Sequence, residues 1–227
     1  MSTFMLVLAI LPAVVLMTYV YRKDTIEKEP LGLLLVLFLL GALASIPIVV
    51  GEMLFESVVL SGLYEGSLLY IILENFLGVA LVEELGKYFV LKSRTWKSAH
   101  FNFLFDAIVY AVVASLGFAT LENVLYLMDG SISTAIGRAI LSVPGHAIDG
   151  VFMGCYYGLA KRDERMGNAR GVKANLRLAL LVPVLVHGTY DFFISTGWLL
   201  LFFAFEIVVT AAAVARVRRV SKEDAPV

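Results

Sequence analysis

Long apolar stretches of this chain carry ionisable residues that could do chemistry: Glu74, Glu83, Glu84, Lys87, Glu122, His146, Asp149, His187, Asp191 and Glu206. Carboxylates and imidazoles transfer protons, stabilise an oxyanion or bind metal. Residues 82–87 read Val-Glu-Glu-Leu-Gly-Lys. On a helix, Glu83 and Glu84 lie four and three residues before Lys87, so either carboxylate can meet the ammonium. Adjacent residues point about 100° apart. The expectation is that one glutamate pairs with Lys87 while the other faces a cavity. Further on, Glu122 and Asn123 follow Phe118 by about one turn, in Gly-Phe-Ala-Thr-Leu-Glu-Asn. Pro144 and Gly145 weaken a helix just before His146, and Asp149 comes three residues later. Pro183 precedes His187 by one turn, and Asp191 follows it by one turn on the same face.

Composition says what must position these groups. Of 227 residues, 60% are apolar and only 16% charged, against about 25% charged in an ordinary soluble domain. Mean hydropathy is +0.87. This composition excludes a soluble enzyme and a disordered chain. A net charge of −1 gives no basic field for nucleic acid. The single cysteine, Cys155, excludes a disulfide framework. What remains is a multi-pass protein of the cell membrane, surrounded by the lipid bilayer, as one membrane-embedded domain over 1–227.

A membrane helix needs about 20 apolar residues. Seven stretches qualify, near 3–21, 31–54, 67–91, 104–128, 138–160, 175–195 and 198–215. Their apolar runs are continuous rather than alternating, so the fold class is an all-α membrane helix bundle, not a β-barrel. The first stretch lacks a basic start and a cleavage site, and reads as a retained helix. Sixteen of the eighteen basic residues lie on one side, in the loops after spans 1, 3 and 5, at Arg177 just inside span 6, and in the tail 216–227. By the positive-inside rule the N-terminus is outside and that tail is cytoplasmic. Lys87 and Arg138 are the two exceptions.

An ionisable group inside a bilayer costs several kcal/mol unless it is paired or hydrated. Most of these groups fall in spans 3–6, so these four helices should surround a hydrated cavity. The four-helix core is 67–195. A rise of about 1.5 Å per residue places Glu122, His146, His187 and Asp191 in the outer half of the bilayer. Glu84 reaches the same depth only if 67–73 lies obliquely at the surface and the crossing starts near Glu74.

The ordered set Glu-Glu-x-x-Lys (83–87), Phe-x-x-x-Glu-Asn (118–123), a membrane His (146) and His-x-x-x-Asp (187–191) resembles the PrsW family of intramembrane proteases. That family is related to the type II CAAX prenyl endopeptidases and to bacteriocin-immunity membrane proteins. The resemblance covers about 67–195. Glu-Asn at 122–123, and Lys four residues after Glu83, favour the PrsW pattern over the CAAX pattern. The resemblance implies hydrolysis of a membrane-protein or peptide substrate near the extracytoplasmic side, with a single-pass anti-sigma factor as the family's best-known target.

The residues by themselves are compatible with that chemistry in two versions. In one, Glu84, Glu122, His146 and His187 hold a divalent metal, with zinc suited to the donor set. In the other there is no metal. Glu84 with His146 activates water, and His187, oriented by Asp191, donates to the oxyanion. Either Glu83 or Glu84 can be the catalytic one, with Lys87, Asn123 and Asp149 in support. Two other classes use similar parts: a proton-coupled transporter and a non-catalytic binding or immunity protein. The sequence sets no oligomeric state.

Overall fold

The computed structural model describes residues 3–128 and 130–227, and they form seven successive helices. We number them α1 to α7. Helix α1 is Thr3–Lys23. Helix α2 runs Leu31–Phe55 and continues as a π-helical turn, Glu56–Leu60. Helix α3 has three consecutive pieces: Leu68–Leu73, a π segment Glu74–Ala80, and Leu81–Thr95. Helix α4 is Leu104–Met128. Helix α5 starts with Ile132–Gly137, passes through a π turn Arg138–Ser142, and ends with Val143–Arg165. Helices α6 and α7 are Ala169–Thr196 and Leu199–Lys222. All seven expected helices are present, most with extensions beyond the apolar stretches. The expected loop at 129–137 is largely the first piece of α5.

Five of the seven, α1, α2, α4, α6 and α7, are long and apolar enough to cross a membrane. The other two, α3 and α5, are diluted by their own polar residues: Glu74, Glu83, Glu84 and Lys87 on one, His146 and Asp149 on the other. The two helices that look least like membrane spans are therefore the ones richest in chemistry.

Helix α4 is the axis of the bundle. It is apolar on most sides, and every residue from Phe105 to Ala119 is buried, as expected of a helix enclosed by others. Helices α1, α2, α5, α3 and α7 all touch it. Small residues allow the closest approaches, as is usual in membrane bundles. A Cβ on Gly117 would stand 2.1 Å from the carbonyl oxygen of Phe38, and one on Gly41 would stand 2.1 Å from that of Ala114. Helices α2 and α4 thus cross backbone against backbone. A Cβ on Gly154 of α5 would come 2.6 Å from the carbonyl oxygen of Ala107. Outward faces carry large apolar side chains, among them Val58, Phe89, Leu200 and Ile207. In water such a surface would aggregate; facing acyl chains it needs no partner.

The basic loops gather at one end. Lys161 Nζ donates to the Trp96 carbonyl at 2.9 Å, and Ser221 Oγ donates to that of Lys23 at 2.5 Å. The segment expected as a tail differs in form. It is helical to Lys222, then turns back onto the start of α4. Leu104 N–H donates to the Ala225 carbonyl (3.0 Å), Val227 N–H donates to that of Asn102 (2.8 Å), and Val227 is buried. A charged stretch looks solvated in sequence because side chains are all that can be read. Here the backbone does the docking.

Two outcomes follow. With Cys155 replaced by serine, Met166→Cys should resist a membrane-impermeant thiol reagent in intact cells and react after lysis. Labelling from outside would invert the orientation drawn from the basic loops. Gly117→Ala should separate α2 from α4 and lower stability by about 1–3 kcal/mol, the usual cost of overpacking, read as an earlier thermal unfolding midpoint in detergent.

Candidate active site

The half of the bundle away from the basic loops encloses a cavity of about 880 Å³. Its walls come from α2, α3, α4, α5, α6 and α7, and include Glu83, Glu122, Arg138, His146, Asp149, His187 and Asp191. Two local features shape it. The π segment 74–80 adds width to α3 just before Glu83, which re-aims the following turn; such segments recur at functional sites. The π turn 138–142 does the same on α5, immediately before Pro144, which has no N–H to offer the helix.

The floor is built around Lys87. Its ammonium is fully buried and lies 2.7 Å from Glu84 Oε1, 2.9 Å from Glu83 Oε2 and 3.0 Å from His146 Nδ1. Both glutamates therefore reach the lysine, against the expectation that one would pair and the other would not. The 100° between their Cβ directions is spanned by the long, flexible lysine stem, which brings Nζ between them. They differ in exposure instead. Glu83 lines the cavity, whereas Glu84 is wholly enclosed and its Oε2 has no hydrogen-bond partner. Phe118 lies under the ammonium, 4.3 Å from ring centroid to Nζ, and its edge meets His146. That is the part this phenylalanine plays one turn before Glu122.

The histidines are held by different partners. An ammonium can only donate, so Lys87 makes His146 Nδ1 an acceptor, and His146 Nε2–H then donates to Glu122 Oε2 at 3.0 Å. Glu122 also meets Arg138 at 2.8 Å. His187 has carboxylates on both sides, with Nδ1 at 3.0 Å from Glu84 Oε1 and Nε2 at 3.2 Å from Asp191 Oδ2. The two imidazole rings meet edge to face at 5.3 Å. Asp149 stands behind, with Oδ2 3.8 Å from His187 Nδ1.

Spans 3–6 thus bring Glu83, Glu84, Lys87, Glu122, His146, Asp149, His187 and Asp191 together. Asn123 points elsewhere. It donates to the Ala9 carbonyl on α1 at 3.3 Å and accepts from Arg138 Nε at 2.7 Å. Arg138 is a charged cavity residue to which the sequence alone assigns no role. Its signal was present, since it and Lys87 are the only basic residues outside the four basic segments.

Residues 29–217 match the family described as PrsW family intramembrane metalloprotease. The chain belongs to that family. It is 36% identical to the Protease PrsW of Oceanobacillus iheyensis, over 94% of each chain. It is 40% identical to that of Geobacillus kaustophilus, over 84% of this chain and 76% of the relative. With that of Bacillus subtilis the figures are 37%, 84% and 83%. No solved structure matches. As a PrsW-family protein the chain is a protease, which sets aside the transporter and immunity-protein readings.

The family description names a metal, and the donor set suits one. Glu83, Glu84, His146 and His187 each offer a ligand atom, all within 4.8 Å of one another, and Glu84 Oε2 is a buried oxygen without a partner. Two imidazoles with carboxylates are a zinc-type set. The group differs from the expected one: Glu83 stands in it, while Glu122 sits on the far ring nitrogen of His146, where an orienting carboxylate belongs. Lys87 shares the same space, so an ion would lie beside an ammonium.

Removing Lys87 should be costly. Lys87→Met leaves two buried carboxylates without their cation and should destabilise the PrsW bundle by about 3–5 kcal/mol. The triple variant with Glu83→Gln and Glu84→Gln should recover much of that loss. Thermal unfolding in detergent checks both.

Proposed function

We propose that this chain hydrolyses a peptide bond of a single-pass membrane protein inside the cavity, near the extracytoplasmic face. An anti-sigma factor is the substrate class that the resemblance implies. The observation that carries the reading is the buried group Glu83–Glu84–Lys87–His146–His187 at the floor of a cavity of about 880 Å³. The basic loops at the opposite end support the extracytoplasmic side.

Exposure to the cavity divides the work between the glutamates. Glu83 faces the space where water and peptide meet, so Glu83 takes a proton from water as its oxygen attacks the carbonyl carbon. The same carboxyl then gives that proton to the departing amine as the C–N bond breaks. Glu84 touches no substrate; it holds Lys87 and His187 in place. His187 Nε2–H, next to Asp191 on the cavity side, is the donor available to the oxyanion. Glu122, fixed by Arg138, sets the orientation of His146. A divalent cation held by Glu83, Glu84, His146 and His187 would supply Lewis acidity and an acidified water.

Cleavage of a model single-pass substrate in proteoliposomes tests the assignment. Glu83→Gln and His187→Ala should lower the rate by about 10²–10⁴-fold while the protein stays inserted. Glu84→Gln should lower it as well, through loss of positioning. Full cleavage by both glutamine variants would end the reading. Chelation should abolish activity and zinc restore it. Active enzyme holding less than about one-tenth of an equivalent of metal would exclude the metal version.

A further inference from the structure

A second group of acids lies at the basic end. Asp24 and Glu29 belong to the connection between α1 and α2, and Asp106 to the first turn of α4. Their residues are 1%, 2% and 1% exposed. One oxygen from each lies within 4.8 Å of the other two. Asp106 is about 24 Å along the helix from Glu122, so this group is separate from the cavity.

Most nearby donors are already engaged. Asp106 Oδ2 accepts from the backbone N–H groups of Asn102 (2.9 Å) and Phe103 (2.7 Å) ahead of α4. The Phe105 N–H goes to Asp224. Tyr110 Oη donates to Glu29. Lys28, the nearest ammonium in sequence, donates to the carbonyl oxygens of Tyr21 and Asp24 rather than to a carboxylate. Among the described residues, no lysine or arginine forms an ion pair with any of the three acids. Two oxygens, Asp24 Oδ2 and Asp106 Oδ1, are buried without any hydrogen-bond partner. A buried polar atom left unpaired costs about 1–3 kcal/mol, and more when charged. Asp24 is the decisive residue. Its Oδ2 has no hydrogen-bond partner, yet the residue is buried and one of its oxygens lies within 4.8 Å of the other two carboxylates.

We propose that Asp24, Glu29 and Asp106 form a structural binding site for a hard divalent cation, magnesium or calcium. The ligands are carboxylate oxygens with no nitrogen or sulfur among them, the set such ions take and zinc does not prefer. The ion would tie the α1–α2 connection to the start of α4. Through Asp224 and the bridge between Phe103 and Pro226, it would also secure the docked C-terminal segment. The site takes no part in peptide hydrolysis and does not depend on how the cavity works.

Terbium is the probe, because it substitutes for hard oxygen-bound cations and is excited by a nearby tyrosine; Tyr110 touches Glu29. The full chain, stripped of metal and held in detergent, should show tyrosine-sensitised terbium emission that magnesium or calcium displaces. Each of those ions alone should also raise the thermal unfolding midpoint if it is a ligand. Asp24→Asn removes no hydrogen bond and should fold, yet weaken terbium binding by about tenfold or more. Glu84→Gln, in the cavity, should leave the emission unchanged. Displacement by only one of the two ions would identify it as the ligand. The proposal fails if neither ion displaces terbium or raises the midpoint, if Asp24→Asn binds like the parent, or if Glu84→Gln removes the signal.

Discussion

A lysine ammonium without water is the constraint on which this bundle turns. Lys87 is fully enclosed within the bundle, where a lone buried charge would cost several kcal/mol. Two carboxylates and one imidazole lone pair surround it, so every donor has somewhere to go. Satisfying it fixes the rest of the floor. Glu84 is drawn inward and carries His187 with it; His146 is held in one tautomer and hands its other proton to Glu122. Helices α3, α4, α5 and α6 thus meet through one point of charge rather than through apolar packing alone. A buried pair of this kind is weak evidence for stability but good evidence for a defined geometry.

Around that point the bundle is arranged by polarity along its length. Apolar close packing dominates α4 as far as Ala119, and the cavity opens where that packing gives way near Glu122. Three π-helical segments lie towards the cavity half: after Phe55, before Leu81 and before Val143. Each supplies a local change of helix face without breaking the helix, which is how continuous spans can line one cavity from several directions.

Much of this was legible in the chain itself. Helix number followed from apolar length, and the pairs Glu83–Lys87 and His187–Asp191 followed from four-residue spacing, because both depend only on neighbours in sequence. What was not legible depends on reach or on tertiary contact. The reach of the Lys87 stem to both glutamates is a side-chain length, not a helical angle. Arg138 stood out only as an exception to the basic loops, because its partners, Glu122 and Asn123, lie on another helix. Asp24, Glu29 and Asp106 are spread over 83 positions and surrounded by polar residues, so nothing local separates them from a solvated loop. The docked segment after Lys222 is held by backbone hydrogen bonds, which leave no mark on residue type.

The crossing of α2 and α4 bears on how losses of function in this protein are to be interpreted. Gly41 and Gly117 face carbonyl oxygens at a distance that admits hydrogen and nothing larger. Both sites will therefore reject almost every other residue in a saturation screen, as firmly as Glu83 or His187 would under the proposed reaction. Intolerance alone cannot distinguish a proton donor from a spacer. Protein abundance can, since a spacer variant is cleared from the membrane and a chemical variant persists there inactive. Like Gly154, whose Cβ would meet a backbone carbonyl of α4, these glycines would mimic an active site in any scan scored by activity alone.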